Sequence, residues 1–407
     1  MRLLTTLTTL CIAPALASHA SSTPLSIQMA HSIMSRTQGV YTSSADPSGT
    51  LQAGFIQKTF SLITAQYPQH PSTPDLTAYI TRSADSLLGI FNSSTSALRF
   101  AMDRLSSGNA FIRLYEETGE AKYQAAVDVL RTSVDENKRN AEQGLWYFVY
   151  PNWSYLDGMF SFGPFWALYT LTYTPTDSSA WSELKRQFAL LAAHCGLDGS
   201  DGLLVHGYDD SRTAVWANNT LGQSPHVWGR SLGWYVMALM DTVEILDARV
   251  HHLHNGREVQ HVRAALVDEF TLRMHAIART VDSATGAWWQ VLDQPGRAGN
   301  YIESSGSSMF TYALLKGVRL GYLDASSPRL NASYVDIGRR AYGYLKDTFV
   351  VDNGNGTLGW NGTVSVCSLN STASYEYYVG RPLLLNSVLG SAAFVAASLE
   401  VERLDGY

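Results

Sequence analysis

The chain has few cysteines for its length. It contains three in 407 residues, and Cys11 lies in an N-terminal segment that we expect to be removed. One disulfide between Cys195 and Cys367 is possible, but spacing alone does not establish that the two meet. A scaffold stapled by cysteines is therefore excluded. Stability must come from a large apolar core, and a hydrophobic share of 45% allows one.

Runs of basic residues are also absent. The 29 Lys and Arg are outnumbered by 35 Asp and Glu, giving a net charge of −6. This balance argues against nucleic acid and anionic membranes as partners. Beyond the N-terminus, no apolar segment is long enough to span a bilayer. An anionic substrate would need a local cation, which draws attention to Arg230.

Cofactor motifs are missing as well. The chain has no Walker A loop, GxGxxG, CxxC or Gly-x-Ser-x-Gly elbow. His251, His252, His254 and His261 form the densest histidine cluster, but they lie in a charged turn without the framework of a metal site. We therefore expect neither a cofactor nor a metal.

The N-terminus resembles a secretory signal. Arg2 precedes an apolar stretch that ends in Ala15-Leu16-Ala17, a small-residue cleavage site, and cleavage after Ala20 is an alternative. We predict a signal peptide over 1–20, a single catalytic domain over 21–407, and a secreted monomer. Glycosylation sequons occur at Asn92, Asn152, Asn218, Asn331, Asn355, Asn361 and Asn370.

Hydrophobic periodicity predicts an all-α fold. Residues 120–138 carry one apolar stripe, whereas 234–240 are apolar on every side. Alternation of half-covered and fully covered helices predicts two concentric rings, an (α/α)6 barrel of six helical hairpins; a stacked solenoid is the alternative. The predicted helices are 25–36, 50–66, 75–91, 104–117, 120–138, 158–173, 178–195, 228–248, 257–280, 303–320, 332–348 and 384–402.

Long irregular segments precede the apolar helices, at 139–157, 196–227, 281–302 and 349–383. Long loops in a compact domain are usually functional. If the two rings are correct, these loops gather at one end of the barrel. We therefore expect the functional site at that end.

The segment 225–234 contains two tryptophans, an arginine and two glycines at the start of an apolar helix. The guanidinium of Arg230 offers a fixed fork of donors for a carboxylate, and the indoles of Trp228 and Trp234 suit the C–H face of a sugar. This pattern indicates a pocket for an acidic carbohydrate. An aromatic helix start with a solvated arginine is the alternative.

Asp157 ends the aromatic segment 146–158, which also contains Tyr147. As a structural residue it would cap the following helix. As a functional one it would be a general acid, because desolvation by aromatic neighbours raises a carboxyl pKa, although a helix N-terminus lowers it.

Two further polar residues have similar alternatives. Asp103 could cap a helix or pair with Arg104, or it could hold sugar hydroxyls or fix the protonation state of Asp157. His206 could contact substrate or assist proton transfer, or it could bond to a neighbouring loop.

Six short motifs occur in order and carry a resemblance to a known family. The chain resembles the unsaturated rhamnogalacturonyl hydrolases, glycoside hydrolase family 105, which is allied to the unsaturated glucuronyl hydrolases of family 88. The motifs are Asp103-x4-Gly108, Tyr155-Leu156-Asp157-Gly158-Met159-Phe160, Gly202-Leu203-Leu204-x-His206-x2-Asp209, Trp228-Gly229-Arg230-x2-Gly233-Trp234, Trp289-Gln290-Val291-Leu292-Asp293 and Ser374-Tyr375-Glu376-Tyr377-Tyr378.

The resemblance implies an (α/α)6 barrel that releases a 4,5-unsaturated galacturonic acid from the non-reducing end of lyase-generated rhamnogalacturonan oligosaccharides. It implies that Asp157 protonates C4 of the enol ether and then activates water toward C5. Asp103 would hold the unsaturated ring. The implied substrate contacts are Tyr147, His206, Trp228, Arg230 and Trp234.

Three alternatives remain open from the sequence. The first is an unsaturated glucuronyl hydrolase that acts on other lyase products. It would differ from a rhamnogalacturonyl hydrolase only in which sugar the pocket recognises. An acidic-sugar-binding protein without activity could dispense with Asp157. An inverting glycosidase would need a second essential carboxylate to activate water.

Overall fold

The computed structural model describes residues 23–43, 46–217, 219–249, 256–324, 330 and 332–406, and these form a helical protein with six short strands. The helices are α1 Leu25–Ser35, α2 Gly49–Gln66, α3 Thr73–Asp85, α4 Ser94–Ala97, a 3-10 helix Met102–Ser107, α5 Gly108–Thr118, α6 Ala121–Asp135, α7 Gly158–Tyr173, α8 Ser178–His194, α9 Gly229–Arg249, α10 Gly256–Arg279, α11 Ser304–Arg319, α12 Tyr334–Phe349, α13 Tyr375–Val379 and α14 Val388–Leu404. The strands are β1 Trp153–Tyr155, β2 Gly207–Asp209, β3 Val350–Asp352, β4 Leu358–Trp360, β5 Thr363–Val364 and β6 Leu383–Leu384.

Alternate helices close into a ring. Going round it, α2 packs on the 3-10 helix, which packs on α7, and α9, α11 and α14 follow before α14 returns to α2. Outer helices pack against this ring: α3 on α2, α8 on α7, α10 on α9, α12 on α11 and α1 on α14, while α6 packs on α5, which continues directly from the 3-10 helix. The predicted (α/α)6 barrel is confirmed, and the solenoid alternative is wrong because the ring closes.

Burial explains which helices take the inner positions. Every residue from Gly158 to Leu168 in α7 is buried, and so is every residue from Val388 to Glu402 in α14. In α6, by contrast, the buried residues form one stripe that includes Tyr123, Val127 and Leu130. A helix that is apolar all round is stable only where neighbours cover it on all sides.

All twelve predicted helices are present: one is divided, two have an end displaced by four or more residues, and the others end within three residues of the predicted positions. The helix predicted over 104–117 is divided at Gly108 into the 3-10 helix and α5. α3 ends at Asp85, because the amides of Leu87 and Leu88 bond carbonyls three residues back instead of four. α14 begins at Val388 because Leu383 and Leu384 pair with β5.

The long loops gather at the end of the barrel where α7 and α9 begin. β1 in the first loop pairs with β2 in the second. The side chain of Gln290 in the third loop bonds the carbonyl of Tyr378 in the fourth, at 3.2 Å. The expectation that these segments meet at one end is therefore confirmed.

Several sequence expectations have structural outcomes. Cys195 and Cys367 are both buried and free, so the possible disulfide does not form. His251, His252, His254, Asn218, Asn331 and the predicted signal peptide lie outside the described residues. Within the described ranges, no helix is long and apolar enough to cross a membrane. The same ranges contain no group of three or more His, Cys, Asp or Glu placed to hold a metal ion.

Candidate active site

A cavity of about 650 Å3 opens where the inner helices α2, α7 and α9 begin. Six of the seven residues selected from the sequence line it: Asp103, Tyr147, Asp157, Trp228, Arg230 and Trp234. The seventh, His206, lies outside the cavity lining. The loop before α2 also contributes, through Pro47 and Ser48, and the first turn of α2 contributes Leu51.

Asp157 lies directly before α7 but does not cap it. Its backbone is already helical, and its side chain makes no capping bond to the amides that follow. The Oδ2 atom instead accepts a hydrogen bond from Ser231 Oγ at 2.5 Å and lies 3.3 Å from His206 Nε2. The structural alternative of a helix cap is wrong, and the carboxylate is held from behind by α9 while it lines the cavity.

His206 is fully buried beneath Asp157. Its Nδ1 lies 2.8 Å from the hydroxyl of Tyr378, which belongs to a neighbouring loop. The rings of Tyr155 and Trp228 pack against the imidazole at centroid distances of 5.3 and 4.8 Å. The structure thus places His206 in the support of Asp157 rather than in the cavity wall.

Asp103 lies in the 3-10 helix and is directed toward the cavity. Its Oδ2 accepts a hydrogen bond from the Tyr147 hydroxyl at 3.0 Å, and its buried Oδ1 has no partner. Arg104 turns the other way and donates to the Ser133 carbonyl and to Asn137 Oδ1, at 3.0 and 2.8 Å. The alternative of a hydrogen-bonded Asp103–Arg104 pair is therefore wrong.

The pKa of Asp103 is raised from its ordinary value of 3.8 to about 7. Burial is the largest cause and the charge of Asp157 adds to it, whereas the hydrogen bond from Tyr147 acts in the opposite direction. The Asp103 carboxyl therefore keeps its proton in mildly acidic solution.

This shift predicts a pH-dependent stability. A carboxyl with a raised pKa stabilises the fold below pH 3.8, its ordinary pKa, and loses that contribution as pH rises through about 7. From pH 4 to pH 8 the wild type should therefore lose about 2–4 kcal/mol relative to Asp103→Asn. Urea unfolding of both proteins across this range measures the difference. A constant gap between the two curves would contradict the shifted Asp103.

Arg230 is buried, and its terminal nitrogens are already used. Nη1 and Nη2 donate to the backbone carbonyls of Val364 and Ser365, at 2.6 and 2.8 Å. The guanidinium also lies over the ring of Trp228, with 4.8 Å between its central carbon and the ring centroid. Its Nε is buried without a partner. The guanidinium, which the sequence predicts to be free for a substrate carboxylate, is thus hydrogen-bonded to the loop 363–366. Its Nε–H is the donor that remains unused.

Aromatic rings form the rest of the wall. Tyr147 and Tyr155 are stacked with centroids 4.3 Å apart, and Trp234 contacts Phe55 and Phe160 at 4.9 and 4.5 Å. The indole nitrogen of Trp228 donates to Gln290 Oε1 at 3.1 Å, which fixes the ring at the base of the cavity. These faces are suited to the C–H surface of a sugar.

Sequence reasoning missed several residues that support the site. Ser231 and Tyr378 lie inside motifs that were singled out, so their positions were available but their partners were not. Ser365 has no local signal, and its buried hydroxyl lacks a partner. Glu303 caps α11 by accepting a hydrogen bond from the amide of Gly306. It also accepts a hydrogen bond from the amide of Val364, and this second bond holds the loop beneath Arg230.

Comparison with known proteins decides the family. The model for Glycosyl Hydrolase Family 88 matches residues 61–405. The chain belongs to glycosyl hydrolase family 88. The match to this glycoside hydrolase family begins within α2 and ends at the last residues of the barrel. It therefore includes nearly every residue of the cavity.

Relatives of this hydrolase agree with its fold. A solved glycoside hydrolase from family 105 of C. acetobutylicum is 30% identical, with a TM-score of 0.78 over 93% of this chain and 99% of that one. Protein Atu3128 of Agrobacterium fabrum is 34% identical over 221 residues, 53% of this chain and 88% of that protein. The unsaturated glucuronyl hydrolase of Bacillus sp. GL1 is 13% identical over 93% of this chain and 94% of that one, with a TM-score of 0.57, and shows the same fold alone.

Proposed function

We propose that this hydrolase releases a 4,5-unsaturated galacturonic acid from the non-reducing end of lyase-generated rhamnogalacturonan oligosaccharides. Asp157 is its acid and base. The observation that carries the proposal is the position of the Asp157 carboxyl, which lines the cavity, leaves the helix uncapped and is bonded from behind by Ser231.

One carboxyl is sufficient for this chemistry. The carboxylic acid of Asp157 gives its proton to C4 of the enol ether, and the positive charge that forms at C5 is shared with the ring oxygen. Asp157, now a carboxylate, takes a proton from water as the water oxygen bonds C5, which restores the acid. The resulting hemiketal opens to a ketone, and the bond to the remaining saccharide is then lost. No group of the protein attacks C1.

The surrounding residues have distinct parts in this proposal. Ser231 holds the reactive oxygen of Asp157 in one place, and the His206 imidazole lies 3.3 Å behind that oxygen. The free Oδ1 of Asp103 accepts a hydrogen bond from a hydroxyl of the unsaturated ring. The Nε–H of Arg230 is directed to an oxygen of the same sugar, and Trp228 and Trp234 cover its apolar face.

The dimensions of the cavity favour an oligosaccharide over a free sugar. About 650 Å3 is well above the roughly 300 Å3 at which ligand pockets begin. The outer wall includes Arg99, Phe148, Tyr150 and Val366, which are available to saccharide units beyond the first.

The test is an assay of the purified protein on unsaturated disaccharides from rhamnogalacturonan and from glycosaminoglycans, side by side. Loss of the enol-ether absorbance measures turnover. We expect kcat/KM on the rhamnogalacturonan product to exceed the other by at least ~10-fold, since one well-placed polar contact is worth about 1–3 kcal/mol. The reverse order would identify an unsaturated glucuronyl hydrolase. Binding of both without turnover would leave a sugar-binding protein.

A further inference from the structure

A second cavity, of about 380 Å3, lies deeper along the inner helices. It is lined by Lys58, Asp241 and Lys316, which lie in the later turns of α2, α9 and α11, and by Ser161, which lies in the first turn of α7. The active-site cavity is lined by the first turns of α2 and α9 and by the residue before α7. The two cavities have no lining residue in common.

Three aromatic rings separate the cavities. Phe55, Phe160 and Trp234 contact one another with centroid distances of 5.4, 4.9 and 4.5 Å. Trp234 lines the active-site cavity, and Phe160 lines the second one. A ligand in the second cavity therefore contacts a different set of side chains from the substrate.

Four of the five charged side chains that line the second cavity neutralise one another. Lys316 Nζ bonds Glu244 at 2.7 Å and Asp241 at 3.2 Å, and Lys58 Nζ is bonded to the same Asp241. Two ammonium groups and two carboxylates thus form one closed network. Arg113, the remaining charged residue of the lining, is exposed. A charged ligand gains little from a network that is already paired, and it would lose its own hydration.

Three side chains of the cavity have a buried polar atom without a partner: Ser161 Oγ, Asn109 Oδ1 and Gln57 Oε1. The two amide oxygens can only accept a hydrogen bond, whereas the hydroxyl can accept or donate one, so a matching ligand must donate hydrogen bonds to the amide oxygens. Buried polar atoms without a partner cost free energy, which a hydroxylated ligand would relieve. The rings of Phe160 and Phe165 supply an apolar wall beside these atoms.

From these observations we propose that the second cavity binds one neutral, hydroxyl-rich ring, a monosaccharide without a carboxylate. Hydroxyls meet Ser161 and Asn109, and the C–H face meets Phe160 and Phe165. The volume lies within the range of ligand pockets, about 300–1,000 Å3. This site is independent of the reaction proposed for Asp157.

Calorimetric titration of the purified full chain with L-rhamnose, D-galactose and D-galacturonate tests the proposal. We expect at least one neutral sugar to bind with a roughly millimolar Kd, as ligand efficiency predicts for about a dozen heavy atoms. Galacturonate should bind the second cavity at least ~10-fold more weakly. A crystal soaked in the neutral sugar should show the ring between Phe160 and Asn109; ordered waters alone in that position would overturn the site.

Variants assign the binding to this cavity. Ser161→Met fills the space and removes the hydroxyl, and Asn109→Leu removes the amide at nearly constant size. Each variant should weaken the binding of the neutral sugar by at least ~10-fold, since a lost contact in a well-packed pocket costs about a factor of ten in affinity. Turnover of the unsaturated substrate should stay within about 2-fold of the wild-type rate. Trp228→Ala, which alters the other cavity, should leave this affinity unchanged. If Trp228→Ala removes the binding and the other two do not, the sugar occupies the active site and the proposal is wrong.

Discussion

Replacing Asp157 with asparagine should lower kcat on an unsaturated disaccharide by about 10³–10⁴-fold. Asparagine has nearly the same shape and can still accept from Ser231, but it can neither give a proton to carbon nor take one from water. General acid–base groups contribute about 10²–10⁴-fold, and here one carboxyl serves two successive steps. The enol-ether absorbance, followed with excess enzyme, measures the residual rate.

The control for this variant is stability. Since Asp157 makes no capping bond, its free energy of unfolding in urea should change by less than about 1 kcal/mol. Ser231→Ala is the matched second variant, because it keeps the carboxyl and removes the hydroxyl at 2.5 Å. It should lose far less rate than Asp157→Asn. Should Asp157→Asn keep a tenth of the wild-type rate while folded, another group must supply the proton.

Replacing Arg230 with methionine should reduce both stability and kcat/KM. The two carbonyls at Val364 and Ser365 lose their charged donors in a buried environment, and hydrogen bonds to charged groups contribute about 1.5–3 kcal/mol each. We expect a loss of about 2–4 kcal/mol in the free energy of unfolding. Because Val366 and Cys367 of the same loop line the cavity, kcat/KM should fall by about 10²-fold or more.

Arg230→Lys separates charge from shape. An ammonium group keeps the positive charge but does not span two carbonyls as a planar guanidinium does. Stability should return only in part, and kcat/KM should remain at least ~10-fold below the wild type. If lysine restores both the stability and kcat/KM, the positive charge alone matters. The paired hydrogen bonds from the guanidinium to the loop then have no role. If methionine leaves stability unchanged, the two carbonyl bonds contribute nothing to the fold.

The barrel could be predicted from the sequence because its periodicities are strong. The continuous burial of α7 and α14 follows from helices that are apolar on every side, and the single stripe of α6 follows from its polar residues. The end of α3 could not be predicted, because the turn that follows it differs from an α-helix only in the carbonyl to which each amide is hydrogen-bonded. β6 was missed because two-residue strands depend on a distant partner, here β5.

The site was predictable in its residue types but not in its directions. Six of the seven selected residues meet at one cavity, since they lie in loops and at helix ends that the barrel brings together. His206 and Arg230 were expected to face substrate, but His206 lies behind Asp157, and Arg230 uses its two terminal nitrogens on the segment 363–366 and keeps only Nε for the cavity. A sequence shows which donors are present. It does not show which of them long-range folding has already satisfied.

The pairing of α1 with α14 has a consequence for how this protein reaches its native state. Ser26 bonds Glu402 through both its amide and its hydroxyl, at 2.9 and 2.6 Å, across a separation of 376 residues. Contacts so distant along the chain carry a high entropic cost of closure and slow the search for the native state. The helix α1 therefore cannot make this contact until the chain has been synthesised through α14.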